Sequence, residues 1–110
     1  MALELTYEAT SRTVQTARWK IHYNEAGEGH PVVMLHGSGP GATGWSNFGP
    51  NMPALAERFR VIAVDMPGWG ASDAVTFDER DHAGAALELL DTLGIEKAAL
   101  VGNSMGGMTA

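Results

Sequence analysis

Apolar and polar residues alternate in a stretch near the beginning of the chain, and a weaker alternation precedes it. The apolar members of the clear alternation are Ala17, Trp19, Ile21 and Tyr23. Those of the weaker one are Leu3, Leu5 and Tyr7. A period of two predicts half-buried β-strands. We therefore expect the sheet to begin as an antiparallel hairpin or meander, before Gly27 and Gly29 interrupt it.

Three later apolar runs show no alternation. They are VVML at 32–35, VIAV at 61–64 and AALV at 98–101. Continuous apolar runs are typical of strands that are covered on both faces, as in a parallel sheet.

In the two intervals between these runs, apolar residues recur with the spacing of an α-helix. The first predicted stripe is Phe48, Met52, Leu55 and Phe59, on a helix that begins near Pro50 and Pro53. The second predicted stripe is Ala83, Ala86, Leu87, Leu90 and Leu93. This second helix follows a capping-box pattern from Thr76 to Glu79 and ends at Gly94. Alternating strands and helices predict an α/β fold with a parallel sheet and right-handed crossovers.

Composition narrows the class of protein. A length of 110 residues fits one domain, and 45% hydrophobic residues with 18% charged residues is ordinary globular composition. The seven Lys and Arg residues are scattered and the net charge is -6, which argues against a nucleic-acid partner. No apolar run approaches the roughly 18 residues of a membrane span. With no cysteine, disulfides and thiolate metal sites are excluded, and we expect a cytoplasmic protein.

A G-x-S-x-G pattern follows the third apolar run, with Ser104 at its centre. A serine on a sharp strand-to-helix turn takes strained backbone angles, and glycines two residues before and after it prevent side-chain collisions. Such a turn exposes the hydroxyl at the carboxyl end of a strand. Ser104 is therefore the predicted nucleophile.

A glycine-rich segment, His36 to Gly41, follows the first apolar run. A serine hydrolase needs two backbone N–H donors for the oxyanion, one after the nucleophile and one from the loop after a neighbouring strand. The N–H groups of Met105 and of Ser38 or Gly39 fit these two places.

The same segment can also be interpreted as a dinucleotide-binding motif. Residues 39–44 match G-x-G-x-x-G after a strand, and Asp65 ends the next strand about twenty residues later. Against this reading, Pro40 lacks an N–H within the loop that would hold pyrophosphate, and Pro50 and Pro53 interrupt the helix. Asp65 also fits ordinary turn chemistry in the sequence Asp-x-Pro-Gly.

The histidines predict no metal site, because no pair has ligand spacing with a carboxylate on one face. His22 is expected on the polar side of its strand, His30 in a loop and His82 in solvent. His36 is expected to order the glycine-rich loop rather than to transfer protons. Three aromatic residues beyond strand ends fit either a pocket wall or core packing: Trp45, Phe48 and Trp69.

These motifs together resemble the α/β-hydrolase fold, specifically its amino-terminal half, and within it the meta-cleavage product hydrolases of aromatic degradation. The resemblance rests on HGSGPGATGWSN at 36–47, DMPGWGASD at 65–73 and GNSMGG at 102–107, with IHYNEAG at 21–27 in agreement. It covers nearly the whole chain as a partial hydrolase core domain, residues 1–110, that stops after the nucleophile turn.

The resemblance implies a hydrolase that cleaves a carbon–carbon bond in a 2-hydroxy-6-oxohexa-2,4-dienoate type of small molecule, without a cofactor. It places the nucleophile at Ser104 and the oxyanion-hole donors at the backbone N–H groups of Ser38 and Met105. Gly39, Asn47 and Asn103 would hold the dienoate end of the substrate. For the complete protein a homo-oligomer is also compatible with the resemblance.

The triad of this fold runs serine, acid, histidine, and only six residues follow Ser104 here. The resemblance therefore implies that the cap domain and the carboxyl-terminal half of the core are missing from these 110 residues. The 110-residue chain is therefore expected to be an inactive fragment with strand 98–101 as an apolar edge. An esterase of the same fold and a non-catalytic or dinucleotide-binding fragment remain alternatives.

Overall fold

The computed structural model describes residues 5–39 and 41–109, so Leu3 and Pro40 lie outside the described residues. Within this range one sheet has the strand order β1-β2-β4-β3-β5. The strands are β1 Ser11–Gln15, β2 Lys20–Ala26, β3 His30–Leu35, β4 Phe59–Val64 and β5 Ala99–Gly102. The helices are α1 Tyr7–Thr10, α2 Gly44–Phe48, α3 Met52–Leu55, α4 His82–Thr92 and α5 Met105–Thr109. Short 3-10 turns occupy Gly49–Asn51 and Phe77–Glu79.

Strand directions confirm the predicted mixed sheet. β1 pairs with β2, and β2 pairs with β4, in antiparallel register. β3 pairs with both β4 and β5 in parallel register. The three continuous apolar runs are therefore the three parallel strands, although β3 already begins at His30, which we expected in a loop.

The predicted strand around Leu5 and Tyr7 is wrong, because Tyr7–Thr10 is one helical turn. The hydroxyl of Thr6 accepts a hydrogen bond from the Ala9 N–H at 3.1 Å and caps this turn. The hairpin partner of β2 is instead β1. The N-cap at Thr6 therefore stabilises a helical turn where the weak apolar alternation had predicted a strand.

β2 is buried on both faces rather than half-buried. Ile21 and Tyr23 lie in one core cluster, as predicted. His22 and Asn24, on the other side of the strand, are buried as well. Tyr7 of α1 covers them: its ring stacks on His22 with centroids 5.3 Å apart, and its carbonyl accepts from Asn24 Nδ2 at 3.0 Å. The polar residues of an alternating strand are therefore not its solvent face here.

The first predicted helix begins earlier than expected and is interrupted. α2 begins at Gly44 after a capping box in which Thr43 and Ser46 satisfy each other's backbone N–H groups. Pro50 lies in the 3-10 turn that separates α2 from α3, because proline lacks an N–H and fits only the start of a helical turn. Phe59, expected on this helix, is the first residue of β4.

The second helix is present, but its buried face differs from the predicted stripe. Asp81 caps α4 by accepting the Gly84 N–H at 3.0 Å, whereas the Thr76–Glu79 pattern closes only a 3-10 turn. Ala85 and Leu89 are buried, while Leu87 is 62% exposed. Gly94 ends the helical region with φ +71, as predicted.

The sheet separates two core clusters. Inward residues of β2, β3 and β4 pack with Ala85 and Leu89 of α4 on one face. Alternate residues of β3 and β4 pack with Phe48 and Met52 on the other face. Trp45 packs against the second cluster and Trp69 against the first. All three aromatic residues for which the sequence allowed either a pocket wall or core packing therefore contribute to core packing.

β5 lies at one edge of the described sheet, beside β3. Its Leu100 and Val101 are 41% and 42% exposed, which confirms the predicted apolar edge. Such an edge favours association with further strands. None of the helices in the described residues is both long and apolar enough to cross a membrane.

Candidate active site

Ser104 occupies a strained turn between β5 and α5. Its φ is +56, the one positive value at a non-glycine among the described residues. Gly102 and Gly106 make the turn sterically feasible. A Cβ on Gly106 would overlap the Leu35 carbonyl group, and a Cβ on Gly102 would overlap the Gly106 backbone. The backbone strain that the G-x-S-x-G pattern predicts at Ser104 is thus present.

A cleft of about 490 Å³ opens in front of this turn, and we call it the Ser104 cleft. It is lined by Gly37, Ser38, Gly39, Gly41, Ala42, Ser46, Asn47, Asn103 and Ser104. Five of the six predicted site residues therefore line one cavity. Met105, the sixth, is the first residue of α5 and is not part of the lining. Neither Trp45, Phe48 nor Trp69 lines it.

Asn47 connects the three segments that line the cleft. Its Oδ1 accepts the Gly37 N–H at 3.1 Å and Asn103 Nδ2–H at 2.9 Å. The Asn103 N–H in turn donates to the Leu35 carbonyl at 3.0 Å, which joins the nucleophile turn to the end of β3. Its Nδ2 donates to Ser46 Oγ at 3.3 Å. With Oδ1 engaged twice and one N–H donated, Asn47 can offer a ligand only its second Nδ2–H.

His36 is fully buried beneath the cleft and orders the loop, as expected. Its Nε2 accepts the Met66 N–H at 3.0 Å, so the ring proton lies on Nδ1. That proton is donated to the Gly37 carbonyl at 2.6 Å. Both ring nitrogens are therefore committed to the backbone, and His36 has no free atom for proton transfer to Ser104.

Hydrogen bonds join the side chains of Ser11, His22 and Asp65, of which His22 and Asp65 are buried, and the sequence did not predict this arrangement. The Ser11 hydroxyl lies 2.6 Å from His22 Nε2, and His22 Nδ1 lies 2.9 Å from Asp65 Oδ2. His22 lies on the polar side of β2, as expected, and these contacts explain why that side is buried rather than exposed to solvent. The one signal in the sequence was the Asp-x-Pro-Gly turn, which brings Gly70 against the Asp65 carboxylate with no room for a Cβ.

The position of Asp65 also tests the hypothesis of a dinucleotide-binding site. A ribose-binding carboxylate must reach a ligand, but Asp65 is buried and its oxygens accept hydrogen bonds from the protein itself. The N–H of Gly44 at the start of α2, which would face pyrophosphate, donates to Asp65 Oδ1 at 2.9 Å. The geometry therefore disfavours a nucleotide site. The described residues include no group of three potential metal ligands.

His82 is half-buried rather than solvated, which corrects our expectation. Its ring meets that of Trp69 edge-on with centroids 5.3 Å apart. Its Nε2 is buried without a hydrogen-bond partner among the described residues. Burial, followed by the positive charge of Arg80, lowers the pKa of His82, while the Asp81 carboxylate opposes this effect.

This lowered pKa predicts a pH-dependent stability. Below the ordinary histidine value of about 6.5 the unfolded chain binds a proton that the folded His82 resists. The free energy of unfolding should therefore fall as the pH decreases from about 6.5. Urea unfolding at pH 7.5 and at pH 5.5 measures this loss. The His82→Phe variant, which keeps a ring against Trp69, should lose less; an equal loss in both proteins would contradict the assignment.

Comparison with known proteins places these features in a family context. The model of the family described as "Alpha/beta hydrolase family" matches residues 32–110. A 2-hydroxy-6-oxo-6-phenylhexa-2,4-dienoate hydrolase of Comamonas testosteroni is 51% identical over 116 residues, which cover 97% of this chain and 41% of the relative. A 2-hydroxy-6-oxononadienedioate/2-hydroxy-6-oxononatrienedioate hydrolase of Burkholderia vietnamiensis is 50% identical, with 96% and 40% covered. The chain thus spans about two fifths of the length of the curated relatives that it matches.

Solved structures agree with these sequence matches. A meta-cleavage product hydrolase from Pseudomonas fluorescens superposes with a TM-score of 0.84 at 37% identity, covering 89% of this chain and 37% of the other. An epoxide hydrolase from Vigna radiata superposes with a TM-score of 0.82 at 29% identity, covering 90% of this chain and 33% of the other. Hydrolases with different substrates therefore share this part of the fold.

Proposed function

Since this chain belongs to the alpha/beta hydrolase family, we propose that the protein hydrolyses a carbon–carbon bond in a 2-hydroxy-6-oxohexa-2,4-dienoate, with Ser104 as nucleophile. The observation that carries the proposal is the strained turn at Ser104, which opens on a cleft with amide groups of Asn47 and Asn103. Relatives about half identical to the chain are hydrolases of such dienoates, which supports the substrate class.

The roles of the cleft residues follow from their chemistry. The Ser104 hydroxyl attacks the 6-oxo carbon, and the backbone N–H groups of Ser38 and Met105 stabilise the resulting oxyanion. Asn47 contributes its second Nδ2–H to the dienoate end of the substrate, and Asn103 lies beside it. Neutral amides can hold a carboxylate and an enolate without adding a competing base. Gly39, which has no side chain, leaves space at the same end.

The overall reaction consumes one water. The substrate first becomes a ketone by moving its enol proton to carbon, and the bond between carbons 5 and 6 then breaks. Carbon 6 gains the hydroxyl of water and leaves as a carboxylic acid. Carbon 5 keeps the proton that it received in the ketonisation, and the electron pair of the broken bond forms a dienolate. The oxygen on carbon 2 of this dienolate takes the proton of water, which gives 2-hydroxypenta-2,4-dienoate. No cofactor is needed for this balance.

Ser104 needs a general base, because a serine hydroxyl is a weak nucleophile at its own pKa. Among the described residues, no hydrogen-bond partner of its Oγ is present, and the rings of His22 and His36 are engaged elsewhere. We therefore expect residues 1–110 alone to be inactive. The base would have to come from outside these residues.

Substrate preference tests the proposal. The protein is expressed from its complete reading frame, and kcat/KM is compared for 2-hydroxy-6-oxo-6-phenylhexa-2,4-dienoate and p-nitrophenyl butyrate. We expect the dienoate to be preferred by at least about a hundredfold, because the amides of the cleft are matched to its carboxylate and enol end. A preference for the ester would favour an esterase of the same fold. Absence of turnover with both would favour a non-catalytic protein.

A further inference from the structure

Asp65 is the only carboxylate that is fully buried among the described residues, and the proposed reaction does not use it. A buried negative charge is costly unless several donors satisfy it. Here Oδ1 accepts the Gly44 N–H at 2.9 Å, and Oδ2 accepts from His22 Nδ1 at 2.9 Å and from the Ala71 N–H at 3.1 Å. The carboxylate thus joins β2, the start of α2 and the loop after β4.

The contact with Gly44 fixes where α2 begins. A Cβ on Gly44 would lie 2.6 Å from the Ala63 carbonyl carbon, so the helix start lies directly against β4. The Asp65 carboxylate receives the first N–H of this five-residue helix. Because so short a helix has little stability of its own, its position depends on such contacts.

α2 connects the Asp65–Gly44 contact to the Ser104 cleft, because Asn47 lies on the same helix. Asn47 lies three residues after Gly44, and its Oδ1 holds Gly37 and Asn103. A displaced Gly44 would therefore displace the amide groups that line the cleft. Ser104 itself is set by its own turn and by the glycines around it.

We propose that Asp65 is a positioning residue for the Ser104 cleft, which acts through Gly44 and Asn47 on the part of the cleft that holds the substrate. This inference rests on the proposed function for its kinetic consequence. Its structural consequence, a fixed hydrogen-bonded path from Asp65 to Gly37, is independent of the substrate.

The Asp65→Asn variant is expected to remove the hydrogen bond at one carboxylate oxygen and to keep those at the other. Two donors meet at the Oδ2 position and one at Oδ1, so the asparagine oxygen should occupy the Oδ2 position. The new NH₂ group then faces the Gly44 N–H, where two donors meet and no hydrogen bond forms. The variant should therefore release α2 while the contacts to His22 and Ala71 persist.

The matched control is Asp73→Asn. Asp73 lies in the same loop, and its carboxylate accepts a backbone N–H of β2, that of Lys20, at 2.8 Å. None of its hydrogen bonds within the described residues involves α2. Both variants remove one negative charge from this loop, so a difference between them reports on the path to α2.

The test measures kcat and KM for the phenyl dienoate, together with amide hydrogen exchange, in the protein from its complete reading frame. We expect Asp65→Asn to raise KM roughly tenfold with kcat within about threefold, because substrate-holding amides move while Ser104 does not. Asp73→Asn should leave both near the parent values. If Asp65→Asn instead lowers apparent kcat at unchanged KM, it only reduces the folded fraction, and the positioning role is wrong.

Amide exchange distinguishes failure of this inference from failure of the proposed function. If the parent protein does not turn over the dienoate, the proposed function fails. The hydrogen-exchange rates of the Gly44 and Gly37 amides still test whether Asp65 positions α2. It should be at least about tenfold faster in Asp65→Asn than in Asp73→Asn if the contacts open locally. Equal exchange in the two variants would overturn the inference.

Discussion

The Ser104→Ala variant should lose at least about a thousandfold in kcat for the phenyl dienoate, because removal of a serine nucleophile leaves only binding and oxyanion stabilisation. The fold should tolerate this change well. The φ of +56 at Ser104 is strained for alanine as for serine, and the Ser104 hydroxyl has no hydrogen-bond partner among the described residues. Steady-state kinetics on protein from the complete reading frame, beside a urea unfolding curve, makes the comparison.

Ser46→Ala provides the control for this loss. Ser46 also lines the Ser104 cleft, but its hydroxyl accepts the Thr43 N–H at 2.8 Å in the capping box of α2. Its replacement should cost about 1 kcal/mol of stability with kcat largely retained. Ser104→Ala activity within about tenfold of the parent would show that the nucleophile is another group.

The Gly106→Ala variant should have the largest effect on stability, a loss of about 3 kcal/mol in the free energy of unfolding. A Cβ at this position would lie 2.6 Å from the Leu35 carbonyl carbon and overlap the carbonyl oxygen. Both atoms belong to the backbone of β3, the central parallel strand, and cannot move aside as a flexible side chain would. The nucleophile turn must therefore separate from the sheet.

Gly107→Ala is the matched control, one residue later in the same helix, α5. A Cβ on Gly107 would have its nearest contact at 3.6 Å, which is ordinary packing. Alanine is also the better helix former by roughly 1 kcal/mol, so this variant should be as stable as the parent or more stable. Urea midpoints measure both variants. Equal midpoints for Gly106→Ala and Gly107→Ala would contradict the close approach of the turn to β3.

The parts of the fold that the sequence predicted are those with a strong local cause. The continuous apolar runs at 32–35 and 61–64 became parallel strands that are covered on both faces, as such runs predict. The run at 98–101 also became a parallel strand, although the residues of β5 are exposed at the edge of the described sheet. The turn at Ser104 was predictable because two glycines at fixed spacing serve one steric purpose. Both signals lie within a few residues of the structure that they produce.

The parts that were not predicted depend on contacts distant in sequence. The Asp65 carboxylate meets His22 and Gly44 across separations of 43 and 21 residues, and no local pattern encodes such a pairing. The buried face of α4 likewise follows where the helix meets the sheet, which left Leu87 exposed although it belonged to the predicted stripe. Five of the six predicted site residues line one cleft. The hydrogen bond from Gly44 to Asp65, which holds the helix that carries Asn47, was found only in the structure.

Shared architecture does not decide the chemistry of this site. A Vigna radiata epoxide hydrolase superposes almost as well as a meta-cleavage product hydrolase, with TM-scores of 0.82 and 0.84. The distinction must come from the cleft, where Asn47 and Asn103 place amide groups beside Ser104. The identity of the products is therefore more informative than the fold.

Product analysis in ¹⁸O-labelled water distinguishes hydrolysis of the carbon–carbon bond from other reactions of the dienoate. Protein from the complete reading frame is incubated with 2-hydroxy-6-oxo-6-phenylhexa-2,4-dienoate, and the products are identified by mass spectrometry. We expect equal amounts of 2-hydroxypenta-2,4-dienoate and benzoate, with ¹⁸O from water in the benzoate carboxylate. Substrate that is recovered intact, or only as its keto tautomer, would contradict the assignment of a carbon–carbon bond hydrolase.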